Sequence, residues 1–256
     1  MNPIFDAVLR LPTPLIVLVL LLVWGVVSFV IHRAVVPRLC GADGRRLGRF
    51  EAEVTSQIAL AFGLLVSFNA VWVWDRSERV RNAVVEEALA LESALDEADF
   101  LADSKPELRL ETYALVAAYA QHLIADEWPR LSHASATRER PAQLLALRRF
   151  AFSAAEPILE AVKQAEAARE LRIRDGQVAM PRSRWLIVFA LALLTLISIG
   201  ALHGDSPRGR VLALTLVTLA ISCCFAVIFV SGRPFVGEYA IQPTSLEQVV
   251  SRSLRP

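Results

Sequence analysis

Neither sign of charge is in excess: 27 Lys and Arg stand against 26 Asp and Glu, a net charge of +1. So neutral a chain has no general attraction for phosphate backbones, and no nucleic-acid partner is expected. Cysteine is scarce, with three residues in 256. Cys40 stands alone in an expected loop and Cys223 and Cys224 are neighbours in an apolar run, which is neither a disulfide framework nor a metal spacing. The adjacent pair reads as packing, because a thiol beside hydrocarbon stays neutral and unreactive. The histidines at 32, 122, 133 and 203 are too scattered for a ligand cluster. P-loop, dinucleotide, zinc-protease and nucleophile-elbow motifs are all missing. No enzyme activity, metal or cofactor is expected.

What the chain has in plenty is apolar length. Hydrophobic residues make up 55% and the mean hydropathy is +0.45, above the roughly 45–50% apolar content of ordinary globular domains. The excess lies in four uncharged runs: between Arg10 and Arg33, between Glu53 and Asp75, from Trp185 to His203 and from Val211 to Gly232. About 20 such residues cross a bilayer as a helix, which satisfies every backbone group internally. The first run is too long for a signal-peptide core and lacks a basic lead and a small-residue cleavage site, so it is read as a retained span. The expected class is an all-α integral membrane protein with four transmembrane helices and a helical section inserted between spans two and three, in contact with the lipid bilayer.

The chain divides into 1–74 (lead and first two spans), 75–184 (helical section), 185–231 (spans three and four) and 232–256 (tail). An even number of spans puts both termini and 75–184 on one side. Arg33, Arg38, Arg45, Arg46 and Arg49 in the first loop are outnumbered by the arginines flanking the large section, which favours a cytoplasmic position for 75–184 and both termini, in a cell inner membrane. Trp72, Trp74 and Trp185 suit an interfacial aromatic belt.

No run of alternating β-branched residues occurs between 75 and 184, and Ala, Leu, Glu and Arg dominate. The second span meets no Gly or Pro after Trp74, so it continues as one long helix whose Val80, Val84, Ala88, Leu91 and Leu95 mark a buried face. Ser104-Lys105-Pro106-Glu107 reads as a capping box opening a helix to about Trp128. Pro129 and the polar stretch after it form a loop. Two more helices follow, from Ala142 to Phe152 and from Ile158 to Arg174.

In the second span, Ser56, Ala59, Gly63, Ser67 and Ala70 form a small-residue stripe suited to close helix approach in lipid. Leu60, Leu64 and Phe68 form a second stripe beside it. In a symmetric oligomer these rings make an apolar constriction around the axis; alternatively, both stripes are ordinary bundle core. Asn69 is polar in an expensive place and bonds a neighbouring helix or lines a wet path, with Ser67 beside it. Asp96, Asp99 and Asp103 share a helical face and are a candidate cation site or a solvated surface.

LLVSFNAVWVWDRSERVRN, at the end of the second span, resembles the second-helix signature of bestrophins. With DEWP at 126–129, RELRIRDGQVAMP before the third span and RPFVGEYAIQP after the fourth, the chain is similar nearly end to end to the bestrophin-like family of bacterial four-span proteins. The resemblance implies a homopentamer whose second helices line a chloride or other small-anion path, with a neck at Leu60, Leu64 and Phe68. Arg76 and Arg79 would then be the basic residues of its mouth. Arg233, Pro234, Phe235 and Gly237 match a structural turn. The paired aromatics that normally follow the Arg are absent, and no acidic run follows the fourth span, so no calcium clasp is implied. The alternative function is a non-conducting membrane scaffold or sensor that binds a cytoplasmic partner through DEWP, the Asp96 face and the loop at 130–140.

Overall fold

The computed structural model describes residues 11–41, 52–133, 135–178 and 180–255, and every regular element among them is helical. Arg45, Arg46 and Arg49 of the first loop lie outside the described residues. Four helices are long and apolar enough to cross a membrane: α1 (Thr13–Cys40), α2 (Ala52–Phe100), α7 (Arg182–Leu202) and α8 (Pro207–Ser231). Between α2 and α7 come α3 (Pro106–His122), α4 (Trp128–Ser132), α5 (Ala142–Ala154) and α6 (Glu156–Gln177), and α9 (Thr244–Ser253) follows α8. The chain forms two compact units, residues 1–74 with 179–232 and residues 75–178 with 233–256.

In the first unit α8 packs along α1 and against α7. Aromatic rings fill the contact: Phe225 lies 5.2 Å from Trp24 and 4.9 Å from Phe189, and Trp185 lies 4.9 Å from Phe229. Offset or tilted rings at such spacings add to their area burial. Ser28 and Thr218 hydrogen-bond through their hydroxyls between α1 and α8. A Cβ on Gly200 of α7 would stand 2.8 Å from Val36 Cγ2, so only glycine permits this approach of α7 to α1. Cys40, expected in a loop, is the buried last residue of α1.

A π-helical turn, Ile31–Val35, interrupts α1 two residues before Pro37. Pro37 has no N–H for an i−4 carbonyl, and the amide of Val36 reaches back five residues to Ile31. The same event recurs at Leu123–Glu127 before Pro129, where Trp128 N–H bonds Leu123 O. Pro129 therefore does not end the helix as its sequence position predicts, and α4 continues to Ser132.

The second unit is built on the far half of α2. Val80, Val84, Ala88, Leu91 and Leu95 are all buried, as their spacing predicts. Leu91 and Leu95 join Tyr119, Leu123, Leu144, Leu147, Ile158 and Val162 in the main core, and α9 closes it with Leu246 and Val249. Burying each such aliphatic side chain contributes about 1.5–3 kcal/mol. The Ser104–Glu107 capping box does not form: Lys105 is the N-cap, no side chain caps it, and Ser104 Oγ donates to Leu101 O at 3.0 Å. Pro106 at the first helical position starts α3, where a missing N–H costs nothing.

Candidate functional site

Within the first unit, α2 has one inward and one outward face. Phe62, Val66 and Val73 are buried in the unit's core. Leu60, Leu64 and Phe68 turn the other way and are 71%, 55% and 64% exposed. They are not core of their own protomer, which removes the bundle-core alternative for this stripe within one chain. Ser56, Gly63 and Ser67 share the exposed side, while Ala70 is half-buried against the core. Nothing lies within 4 Å of a Cβ placed on Gly63, so its small size serves no contact inside the chain. Ser56 Oγ donates to Ala52 O at 3.0 Å and Ser67 Oγ to Gly63 O at 2.9 Å, which leaves little unmet polarity on the face.

Three of the polar positions differ from their sequence expectation. Asn69 is buried on the inward face, where its side-chain amide donates to Leu65 O at 2.8 Å, so it bonds its own helix and does not line a path. Arg76 is buried, on the helix face shared with Val73 and Val80, and is no exposed basic mouth. Arg79 is half-exposed but donates from Nε to Asp175 Oδ2 at 3.0 Å, a carboxylate that Arg174 shares at 2.9 Å. Burial pushes the Asp175 carboxyl up, but hydrogen bonds from Arg174 and Arg79 outweigh it and hold its pKa below the usual value.

The acidic face of α2 is likewise not a cation site. Asp96 and Asp99 accept from Arg252 Nη2 of α9 at 2.5 Å and 3.3 Å. Asp99 also accepts from Arg109 Nε and Tyr113 Oη, both at 2.7 Å. Asp103 is exposed and stands apart. Fixed cationic donors occupy the lone pairs an ion would need, and among the described residues no group of three or more His, Cys, Asp or Glu could hold a metal.

The densest polar assembly was not legible as a site in the sequence. Glu87 of α2, Glu127 of the π turn and Arg169 and Arg172 of α6 form a buried, charge-balanced network in the second unit. Arg172 donates from Nε to Glu87 Oε2 at 2.7 Å and from Nη2 to Glu127 Oε1 at 2.6 Å. Arg169 grips Glu127 Oε2 from Nε and Nη2, at 2.9 Å and 2.7 Å, and donates to Glu139 O at 2.9 Å. Tyr119 Oη donates to Glu87 Oε1 at 2.7 Å. Burial and the adjacent Glu87 carboxylate raise the Tyr119 pKa well above its ordinary value, which keeps this phenol a donor. Burial would lower the Arg172 pKa, but Glu87 and Glu127 outweigh it and raise it further.

Trp128 covers the network, 5.6 Å below the Arg172 guanidinium, and meets Phe235 edge-on at 5.3 Å. Phe235 lies against Gly176, where a Cβ would stand 2.7 Å from its ring, and Gly237 turns the chain at φ +96°. DEWP, RELRIRDG and RPFVG, separate in sequence, thus converge on one buried cluster. The available clue was Glu87 itself, a carboxylate between Val84 and Leu91 on a face otherwise apolar.

Among the described residues every element is helical, four helices are long and apolar enough to cross a membrane, and these motifs gather beside one of them, which places the chain among helical membrane proteins. The Bestrophin-like domain model matches residues 19–246, and the chain belongs to the Bestrophin-like family. Comparison with curated proteins and with solved structures found no match.

Proposed function

We propose that this protein is an oligomeric, passive anion channel of the inner membrane, without catalytic chemistry. The observation that carries the reading is the outward Leu60, Leu64 and Phe68 stripe of α2, flanked on the same side by Gly63 and Ser67. Small residues beside such a stripe suit close approach of a neighbouring helix, and Gly63 has nothing of its own chain to meet. In a ring of copies, Gly63 and Ser67 let neighbouring α2 helices approach, and Leu60, Leu64 and Phe68 line the axis as a neck that gates by dewetting. A pentamer with 75–184 and both termini in the cytoplasm is the assembly the family resemblance favours. With Arg76 turned inward and Arg79 paired, ion preference rests on dehydration at the neck, so weakly hydrated anions cross more easily than strongly hydrated ones.

The test is chloride efflux from liposomes holding purified protein, for wild type, Leu64→Ala and Phe68→Ala, with oligomer size measured in parallel. Faster efflux from intact oligomers of the variants supports the neck. Unchanged efflux with weaker assembly removes it. One observation favours the second reading, a non-conducting scaffold: Phe100 and Phe152 are 83% and 80% exposed in the second unit. Its partner surface would have to be such apolar points, because Glu127 of DEWP is buried.

A further inference from the structure

We propose that the groove between α1 and α8 binds an anionic phospholipid, one acyl chain lying along the groove and the phosphate held at its His32–Arg210 end. The cavity there measures about 400 Å³ and its walls are mostly apolar, with Leu21, Phe29, Leu214 and Leu219 among them. That is within the range that small-ligand sites occupy. Gly25 opens it: a Cβ on this residue meets nothing within 4 Å. The hydroxyls along its length are already satisfied, Ser28 and Thr218 by each other and Thr215 by Val211 O at 2.8 Å. The occupant that suits this stretch is therefore apolar and offers no hydrogen bonds.

One end is different. Arg210 is only 8% exposed, and its Nε donates to His32 Nδ1 at 3.0 Å. A guanidinium cannot accept a hydrogen bond, so Nδ1 carries the lone pair and the imidazole hydrogen sits on Nε2. His32, which lines the groove, thus has a donor to spare. No carboxylate among the described residues forms an ion pair with Arg210. A nearly buried cation backed only by a neutral ring is costly without a counterion. Exposed Arg33 and Arg208 stand at the same end of these helices, where Asp205 is the acidic residue of the short turn between α7 and α8.

Charge and shape therefore call for one molecule that is apolar along its length and anionic at its tip. A phospholipid with net negative charge supplies both, and its phosphate accepts charge-assisted hydrogen bonds from Arg210 and His32. An uncharged detergent or a diacylglycerol, which has no phosphate, fills the groove but leaves Arg210 uncompensated. A free phosphate ion compensates Arg210 but leaves the apolar length empty.

Native mass spectrometry of the full purified chain tests this, with phosphatidylglycerol and diacylglycerol of identical chains offered at equal concentration, and inorganic phosphate as competitor. The wild type is expected to retain phosphatidylglycerol about tenfold better, the scale of one hydrogen bond to a charged group. Gly25→Leu fills the groove without touching the charge and is expected to lose retention of both lipids. Arg210→Gln is expected to keep chain binding and lose the preference for phosphatidylglycerol. Equal retention by wild type and Gly25→Leu overturns the site and leaves ordinary boundary lipid only. Displacement of the lipid by inorganic phosphate overturns the acyl-chain half. Gly25→Leu decides the matter even where Arg210→Gln does not assemble, because it leaves the buried charge in place.

Discussion

Arg172 meets Glu87 through Nε and Oε2 at 2.7 Å, and neither side chain has any exposed surface. The two residues are 85 positions apart and hold the centre of the second unit, with Glu127 and Arg169 extending the contact.

Removing one member of this set strands the opposite charge in a dry interior. Arg172→Met is expected to destabilise the protein by about 3–5 kcal/mol, because Glu87 and Glu127 both lose their shared donor. Tyr119→Phe removes one hydrogen bond and is expected to cost about 1–3 kcal/mol. Thermal and denaturant unfolding of the detergent-solubilised variants checks the order; an Arg172→Met protein as stable as wild type contradicts it.

Asp175 sets an acid limit. Its pKa is held below the ordinary carboxylate value, so the stability it contributes is fully present above the unfolded value of about 4 and disappears as pH falls through the lower folded value. Between pH 7 and 5 this group is expected to leave stability flat. Circular dichroism melts from pH 7 to 3 should show part of the acid loss vanish in Asp175→Asn, together with lower stability at neutral pH.

The outward stripe separates function from folding. Leu64 and Phe68 touch little of their own protomer, so truncation to Ala is expected to change protomer stability within about 0.5 kcal/mol, whereas a core residue of that size costs about 2–5 kcal/mol. Leu246→Ala in α9 is the matched core control, since Leu246 is completely buried. Urea titrations of the three variants give the comparison.

Arg252 fastens α9 to Asp96 and Asp99. Asp99→Ala removes the acceptor that Arg109, Tyr113 and Arg252 share, and faster proteolysis within 244–253 is the expected result. Calcium is expected to change neither this rate nor the melting temperature of the wild type; a rise in melting temperature with calcium would restore the cation reading of the acidic face.

Spans, their order and the long continuation of α2 were legible because each is a local pattern: an uncharged run, or apolar residues recurring at helical spacing. The outward direction of Leu60, Leu64 and Phe68 was only half legible, since a stripe shows which residues share a face and not what lies opposite. Burial of Arg76 and Asn69 escaped because polar residues predict exposure until their partners are known. The Glu87, Glu127, Arg169 and Arg172 network escaped for the same reason, with partners 42, 45 and 85 residues apart. At Ser104 a four-residue pattern matched while Pro106 already supplied the helix start.

A π turn is one residue more than an α-helix would use, and it advances the rotation of everything after it by about 100° relative to everything before. The extra residue in Leu123–Glu127 therefore works as a phase shifter: side chains on either side of it obey two different wheels. Leu123, Glu127 and Leu131 are buried at steps of four across it. Glu127 and Leu131 reach the interior on the second wheel. Forcing 123–127 into α geometry at unchanged length, with Pro129 replaced by Ala, would rotate the segment beyond it by that angle and swing Leu131 out of the interior. Deleting one residue would leave both flanks facing as they do, so this helix tolerates a shorter chain better than a more regular one.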